Sequence, residues 1–168
     1  MGVTGCGKTT VGRRLAERCR AAFVEGDALH PEANVRKMAS GVPLDDADRR
    51  PWLEAIARRI GDLSARGRPV VVACSALRAA YRRLLAGRRA DVRFVYLKAT
   101  PELIRARLAA RPGHFMPTAL IDSQFAALEE PQTGEGVLTV DASLDAEEIV
   151  RRVLRPVPRS GPDDVEGP

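Results

Sequence analysis

Aromatic residues supply only 4% of this 168-residue chain. One tryptophan, two tyrosines and four phenylalanines give few platforms for stacking bases, and no dense Lys/Arg run compensates, so nucleic acid is set aside as a partner. Cysteine is equally sparse. Cys6, Cys19 and Cys74 are odd in number and widely spaced, which excludes a disulfide framework and any metal-ligand pattern, and a reducing cytoplasm is the expected setting. No apolar run approaches the length that spans a bilayer, so no membrane role is expected. The amino-terminal residues open straight into a glycine-rich polar loop, unlike a secretory signal.

What is present is ordinary for one globular domain: 45% apolar and 29% charged residues, with a net charge of +5 carried almost wholly by arginine. Some of these arginines, as at Arg58–Arg59 and Arg151–Arg152, read as solvated helix surface. Others suit anions, because a guanidinium meets phosphate and carboxylate through paired hydrogen bonds.

Short apolar runs alternate with helix-period stretches, the pattern of an α/β domain with a mainly parallel sheet and helices on both faces. Strands are predicted at Ala22–Glu25, Pro69–Cys74, Val92–Leu97 and Val137–Val140. Val70-Val71-Val72-Ala73 is apolar throughout, as expected of a strand covered on both faces. Helices are predicted over Thr9–Arg20, along Leu53, Ile56, Ala57, Ile60 and Leu63 up to Arg66, over Leu77–Ala86 closed by Gly87, from an N-cap at Thr100 with Pro101 first, and over Ala146–Leu154 behind an Asp145/Glu148 capping box. Residues 1–155 form the domain. The tail from Pro156 to Pro168, rich in Pro, Gly and acid, is expected to be disordered.

Gly2-Val3-Thr4-Gly5-Cys6-Gly7-Lys8-Thr9 matches G-x-x-x-x-G-K-[ST] in full. Glycines let the backbone curl until its N–H groups converge on phosphate oxygens, and the following helix adds positive potential at its start. Lys8 brings a mobile charge to the β- and γ-phosphates, and the Thr9 hydroxyl is placed for Mg²⁺. Gly2, Gly5, Cys6, Gly7, Lys8, Thr9 and Thr10 are the expected ATP-binding set. Such a loop ordinarily follows a buried central strand, yet here it begins at residue 2. A strand of that kind is worth about 4–9 kcal/mol through two or three core side chains. The expectation is therefore that Met1 is an internal residue and that the first strand is encoded upstream. Counting that strand, the sheet should have five strands, doubly wound.

The segment Glu25-Gly26-Asp27-Ala28-Leu29-His30-Pro31, continuing through Lys37-Met38-Ala39-Ser40-Gly41-Val42-Pro43-Leu44-Asp45-Asp46-Ala47-Asp48-Arg49-Arg50-Pro51-Trp52-Leu53, resembles the gluconokinase family of P-loop kinases. So do Cys74-Ser75-Ala76-Leu77 with Tyr81-Arg82, Gly113-His114-Phe115, and Ser123-Gln124-Phe125 with Leu128-Glu129 and Pro131. The likeness runs from Met1 to about Arg155. Glu25 departs from it, standing where the family often has Asp, and so does Pro112, where a basic residue is common. The resemblance implies transfer of the ATP γ-phosphate to D-gluconate, with Mg²⁺, by a homodimer. Another small acceptor, such as shikimate or a nucleoside monophosphate, and a nucleotide-binding module without turnover remain the alternatives. A GTPase is disfavoured, since no Asn-Lys-x-Asp occurs.

Asp27 follows a strand and so projects at the carboxyl end of the sheet, where α/β proteins bind ligands. It is expected to position or deprotonate the acceptor hydroxyl and to help hold Mg²⁺; the plainer alternative is a cap for the helix beginning near Pro31. His30 reads as a structural or substrate-contacting imidazole, with a proton shuttle as the alternative. The resemblance makes Lys37, Arg49 and Arg82 candidates for the substrate carboxylate and hydroxyls. Ser75 is a candidate for a hydroxyl or a metal-bound water. Asp45, Asp46 and Asp48 should favour the start of the Trp52 helix, and Trp52 itself reads as core. Arg107 and Arg111, four residues apart, are expected to reach phosphate, with a lid over about residues 112–127. Arg105 reads as surface. Gln124 either touches substrate or braces the lid.

Overall fold

The computed structural model describes residues 1–110, 118–132 and 135–155. Arg111, His114, Phe115 and the Pro156–Pro168 tail, all subjects of expectations above, lie outside the described residues. The elements run α1 (Lys8–Cys19), β1 (Ala22–Glu25), a 3₁₀ turn (Gly26–Leu29), α2 (Glu32–Ala39), α3 (Asp46–Ala65) and β2 (Val70–Ala73). Then come α4 (Ala79–Ala86), β3 (Phe94–Lys98), α5 (Pro101–Ala109), α6 (Thr118–Ala127), β4 (Val137–Asp141) and α7 (Ala146–Leu154). The predicted strands and most helix limits agree within two residues.

Local chemistry sets several of these boundaries. Asp45 caps α3 by accepting from the Asp48 amide, and Asp48 reaches back to the Asp45 amide, a reciprocal capping box rather than a dipole effect alone. Asp145 accepts from the amides of Glu147 and Glu148 at α7. Thr100 caps α5 and Pro101 opens it, its fixed φ suiting the first turn. Gly67 follows α3 at φ +65°, a left-handed exit that costs glycine little. α1 is different. Its N-cap is Gly7, no side chain caps it and its first turn holds no acid, so its leading amides stay open for an external anion.

Among the described residues all strand pairing is parallel, as predicted. β1 pairs with β2, Ala22 opposite Val70 to Glu25 opposite Ala73, and β3 pairs with β4, Phe94 opposite Val137 to Lys98 opposite Asp141. Among the described residues these are two separate two-stranded sheets rather than one continuous sheet. Among the described residues Met1 and Gly2 lie between them: the Gly2 amide donates to the Ser75 carbonyl (3.1 Å) and the Leu97 amide to the Met1 carbonyl (3.0 Å). Both faces of β2 are covered as expected, by α1 and by α3, but one edge is open. Val70, Val71 and Val72 are only half-buried, because one edge of the strand faces this seam instead of a neighbour.

Helices cover both faces. α1 and α7 pack together against the strands on one side, while α3 and α4 pack on the other. Two apolar clusters result. One joins Val3, Val11, Leu97, Ile104, Val140 and Ile149; the other joins Trp52, Leu53, Ile56, Ile60 and Leu85. Each fully buried aliphatic side chain is worth about 1.5–3 kcal/mol, and the second cluster spans both half-sheets, since Val70 and Val72 of β2 and Phe94 of β3 all pack against it.

Candidate functional site

The phosphate loop bends through Gly5 at φ +81° and Gly7 at φ +102°. Nothing lies within 4 Å of a side chain built on Gly7, so the requirement there is conformational rather than spatial. Lys8 Nζ donates to the Val3 carbonyl (2.9 Å), folding the side chain across the loop. From there it can swing to a phosphate without disturbing packing. Thr9 Oγ1 donates to Glu25 Oε2 (2.8 Å), at the end of β1.

A cavity of about 370 Å³ opens beside the loop. Six predicted residues meet in it: Lys8, Asp27, His30, Arg49, Ser75 and Gln124. They come from separate parts of the chain, and each is set by a distinct device. Gly26 places Asp27, since a side chain at Gly26 would stand 2.5 Å from the Ala73 carbonyl oxygen; only glycine lets the turn cross β2 so closely. Asp27 is exposed, and among the described residues its carboxylate has no hydrogen-bond partner. It does not cap α2, whose N-cap is Pro31 without a side-chain bond, so the capping alternative falls.

His30 stacks on Trp52, with ring centroids 4.2 Å apart and planes 11° apart. Burial lowers its pKa from the ordinary value, Asp27 opposes the shift and Arg49 adds to it. The imidazole is thus held neutral near pH 7, which suits a contacting group better than a cation. Trp52 is buried core, as predicted, and donates Nε1–H to the Gly26 carbonyl (2.7 Å). It also forms a wall of the cavity, a role that composition and spacing did not reveal. Arg49 Nη1 donates to the Tyr81 hydroxyl (3.5 Å), and that hydroxyl in turn donates to Asp46. Gln124 braces the loop: the Thr4 amide donates to its Oε1 (2.7 Å) and its Nε2 donates to Thr4 Oγ1 (2.9 Å).

Two predicted substrate ligands stand elsewhere. Arg82 is 3% exposed and outside the cavity. Its guanidinium is consumed by Glu135 Oε2 (2.8 and 3.1 Å) and the Glu129 carbonyl (3.0 Å), so it ties α4 to the segment before β4. Lys37 pairs with Asp48 and lies 4.0 Å from Asp45 Oδ2. The bond to Asp48 raises the Lys37 pKa, and Lys37 lowers that of Asp48. Lys37 therefore secures α2 to the start of α3 and does not line the cavity. The arginine and lysine side chains looked interchangeable in sequence because their partners, Glu135 and Asp48, are set by tertiary packing.

Arg107 lies on the other side of the loop, in a hollow of about 170 Å³ shared with Gly5, Thr10 and Ala142. Its Nη1 donates to the Cys6 carbonyl (3.3 Å) and its Nη2 to the Ala142 carbonyl (2.6 Å). Arg105, read as surface, pairs with Asp122 (2.9 Å).

The oxygen donors fit Mg²⁺. Thr9 and Glu25 are already in contact and Asp27 is uncommitted, all hard ligands of the kind that ion accepts. Among the described residues no cluster of three or more His, Cys, Asp or Glu could form a closed metal cage. An ion sharing its shell with phosphates and water needs none. Sequence reasoning passed over Glu25 as a site residue. The available signal was its place two residues before Asp27, at the same strand end.

Comparison with known proteins bears on which acceptor such a cavity takes. A family model described as an AAA domain matches residues 1–131. The chain is 41% identical to the thermoresistant gluconokinase of Escherichia coli (strain K12), over 92% of this chain and 89% of that protein. It is 43% identical to the gluconokinase of Gluconobacter oxydans (strain 621H), over 92% and 87%. A crystal structure of a gluconokinase from Sinorhizobium meliloti 1021 superposes with a TM-score of 0.83 at 44% identity, covering 92% of this chain and 86% of that one.

Proposed function

Because this chain belongs to the gluconokinase family of P-loop kinases, we propose that the 370 Å³ cavity seats D-gluconate and that ATP is its phosphoryl donor, giving 6-phosphogluconate and ADP. The observation that carries the reading is the convergence of Lys8, Asp27 and Arg49 on one cavity that also reaches the phosphate loop.

The roles follow from chemistry. Arg49 offers a fork to the gluconate carboxylate, backed by the Tyr81 hydroxyl. Ser75 and neutral His30 supply hydrogen bonds to the polyol. Asp27, with no competing partner, orients the acceptor hydroxyl and accepts its proton as the oxygen attacks. Lys8 and the open amides of α1 hold the terminal phosphates, and Arg107 adds positive charge on the donor side. Thr9, Glu25 and Asp27 would hold Mg²⁺, which when bound neutralises phosphate charge and keeps the oxygens in line. Phosphoryl transfer asks little covalent help of a protein, so positioning and charge account for the rate.

Three free thiols suit the reducing cytoplasm, and no helix among the described residues is long and apolar enough to cross a membrane. The homodimer implied by the resemblance is checked by sedimentation. The decisive assay is ADP release across gluconate, shikimate and nucleoside monophosphates. Gluconate should be the preferred acceptor, and Arg49→Lys should raise its KM by about tenfold with ATP affinity intact, since one bidentate pair becomes a point contact. Equal or better turnover of another acceptor would overturn the choice.

A further inference from the structure

Only one residue of α2 is buried, and it is polar: Asn34, 5% exposed. A buried amide on an otherwise exposed helix needs a reason beyond packing. Asn34 has no part in the roles above. Its Nδ2 donates to the Asp48 carbonyl (2.7 Å) and stands 3.4 Å from Nδ1 of His30.

A carbonyl can only accept, so Asp48 fixes which way round the amide lies, with its nitrogen toward Asp48 and His30. That nitrogen carries two hydrogens and offers no lone pair. One hydrogen goes to Asp48, which leaves the other for His30 Nδ1. A proton on Nδ1 would set two N–H groups against each other. Nδ1 is therefore bare, and the neutral ring carries its proton on Nε2. Turning the ring over would keep its stack on Trp52 but aim a C–H at the Asn34 hydrogen, so the same contact also fixes the rotamer. Asp27 and Arg49 act on the ring's charge in opposite directions, and among the described residues neither bonds to a ring nitrogen, which leaves the tautomer to Asn34. Among the described residues Nε2 has no partner and is not a buried orphan, and the ring lines the acceptor cavity.

We propose that Asn34 is a positioning residue for the acceptor site: its amide holds His30 in the Nε2–H tautomer, so that the imidazole presents the acceptor molecule with a hydrogen-bond donor. This rests on the reading of the 370 Å³ cavity as the acceptor site. The consequence is selective. The Asp27 carboxylate accepts and His30 donates, so the pair matches hydroxyls, which give a proton to a carboxylate and still take a bond on oxygen. An ether or a carbonyl lacks the proton, and a protonated amine lacks the lone pair. Asn34 thus suits the cavity to a polyol without touching it.

Long-range proton–nitrogen correlation NMR on the unliganded full chain reads both ring nitrogens near neutral pH. The chain has two histidines, and His30→Gln identifies the His30 signals. The wild type should show one tautomer, with Nδ1 bare and Nε2 protonated. Asn34→Asp puts a carboxylate acceptor of the same shape in place of the donor, and should move the proton to Nδ1. The same variant should raise KM for gluconate about three- to tenfold, the worth of one hydrogen bond, with kcat and the KM for ATP held within about twofold. In a His30→Gln background Asn34→Asp should leave the gluconate KM nearly unchanged, because its effect passes through the imidazole. A wild-type ring that averages both tautomers or is protonated on Nδ1 overturns the proposal. So does a tautomer unmoved by Asn34→Asp, or an equal effect of that variant on KM with and without His30. Should Asn34→Asp be recovered unfolded, Asn34→Ser takes its place: its hydroxyl both gives and accepts, so the ring should average the two tautomers, and an unchanged spectrum overturns the role. Tautomers that behave as stated in a protein that does not turn over gluconate support the role of Asn34 and fault the acceptor instead.

Discussion

Eight consecutive residues, Gly2 to Thr9, make the phosphate loop, whereas the acceptor cavity draws on that loop, the turn after β1, α2 and the α2–α3 connection, α3, the end of β2 and α6. The loop works through backbone amides and glycine dihedrals, which a short stretch of sequence specifies by itself. The cavity works through side chains whose positions depend on packing at a distance: Asp27 on the Gly26 crossing of β2, Arg49 on Tyr81, Gln124 on Thr4. A contiguous motif is therefore sensitive at its own residues, and an assembled pocket is sensitive at residues that never touch the ligand.

Mutations can separate the two regions. The largest effect should come from Asp27→Asn, which keeps Mg·ATP binding but lowers kcat by about 10³–10⁴-fold, the upper range for a positioned base; single-turnover transfer alongside nucleotide titration measures both. A near-normal rate would remove Asp27 from the chemistry. Lys8→Ala should cost about 10²–10³-fold, the range for one preorganised charge on a developing anion. Unlike the first variant, it should weaken nucleotide binding.

Arg82→Ala should act only through the assembly. Removing the buried guanidinium leaves the Glu129 carbonyl without its donor and should lower unfolding free energy by about 1–3 kcal/mol, the range for an acceptor left unpaired, since the exposed Glu135 carboxylate can turn to water. Chemical denaturation reads the loss, and a KM for gluconate unchanged in the surviving folded fraction confirms that Arg82 is not a ligand. The smallest effect is electrostatic. The folded pKa of His30 lies below its ordinary value, so below about pH 6.5 the unfolded chain takes up a proton that the native one refuses. The His30 contribution should fall as pH drops through that range and be flat above it, and a His30→Gln variant should lose that component of the slope.

The contrast also explains what the sequence made legible. The loop, the four strands, the caps at Thr100 and Asp145, and six residues of the cavity are legible in the sequence, since each leaves a local signature or a matched motif, whereas Asp45 reads there only as a dipole partner of α3 and not as its cap. Arg82 and Lys37 were misplaced because nothing near them in sequence announces Glu135 or Asp48 as partners. Glu25 was undervalued because its bond to Thr9 joins positions 16 residues apart. The division into two half-sheets was anticipated only as a missing strand. Its outcome for β2, three half-exposed valines, needed coordinates.

Trp52 carries one more consequence. It is the sole indole in the chain, pressed against His30 on one side and facing the acceptor cavity. Its emission is therefore a built-in optical gauge: occupancy by a sugar acid should alter the signal without any attached dye, and imidazole protonation should quench it as acid is added. Intrinsic fluorescence can then follow loading of the pocket in real time, with no need to couple the measurement to turnover.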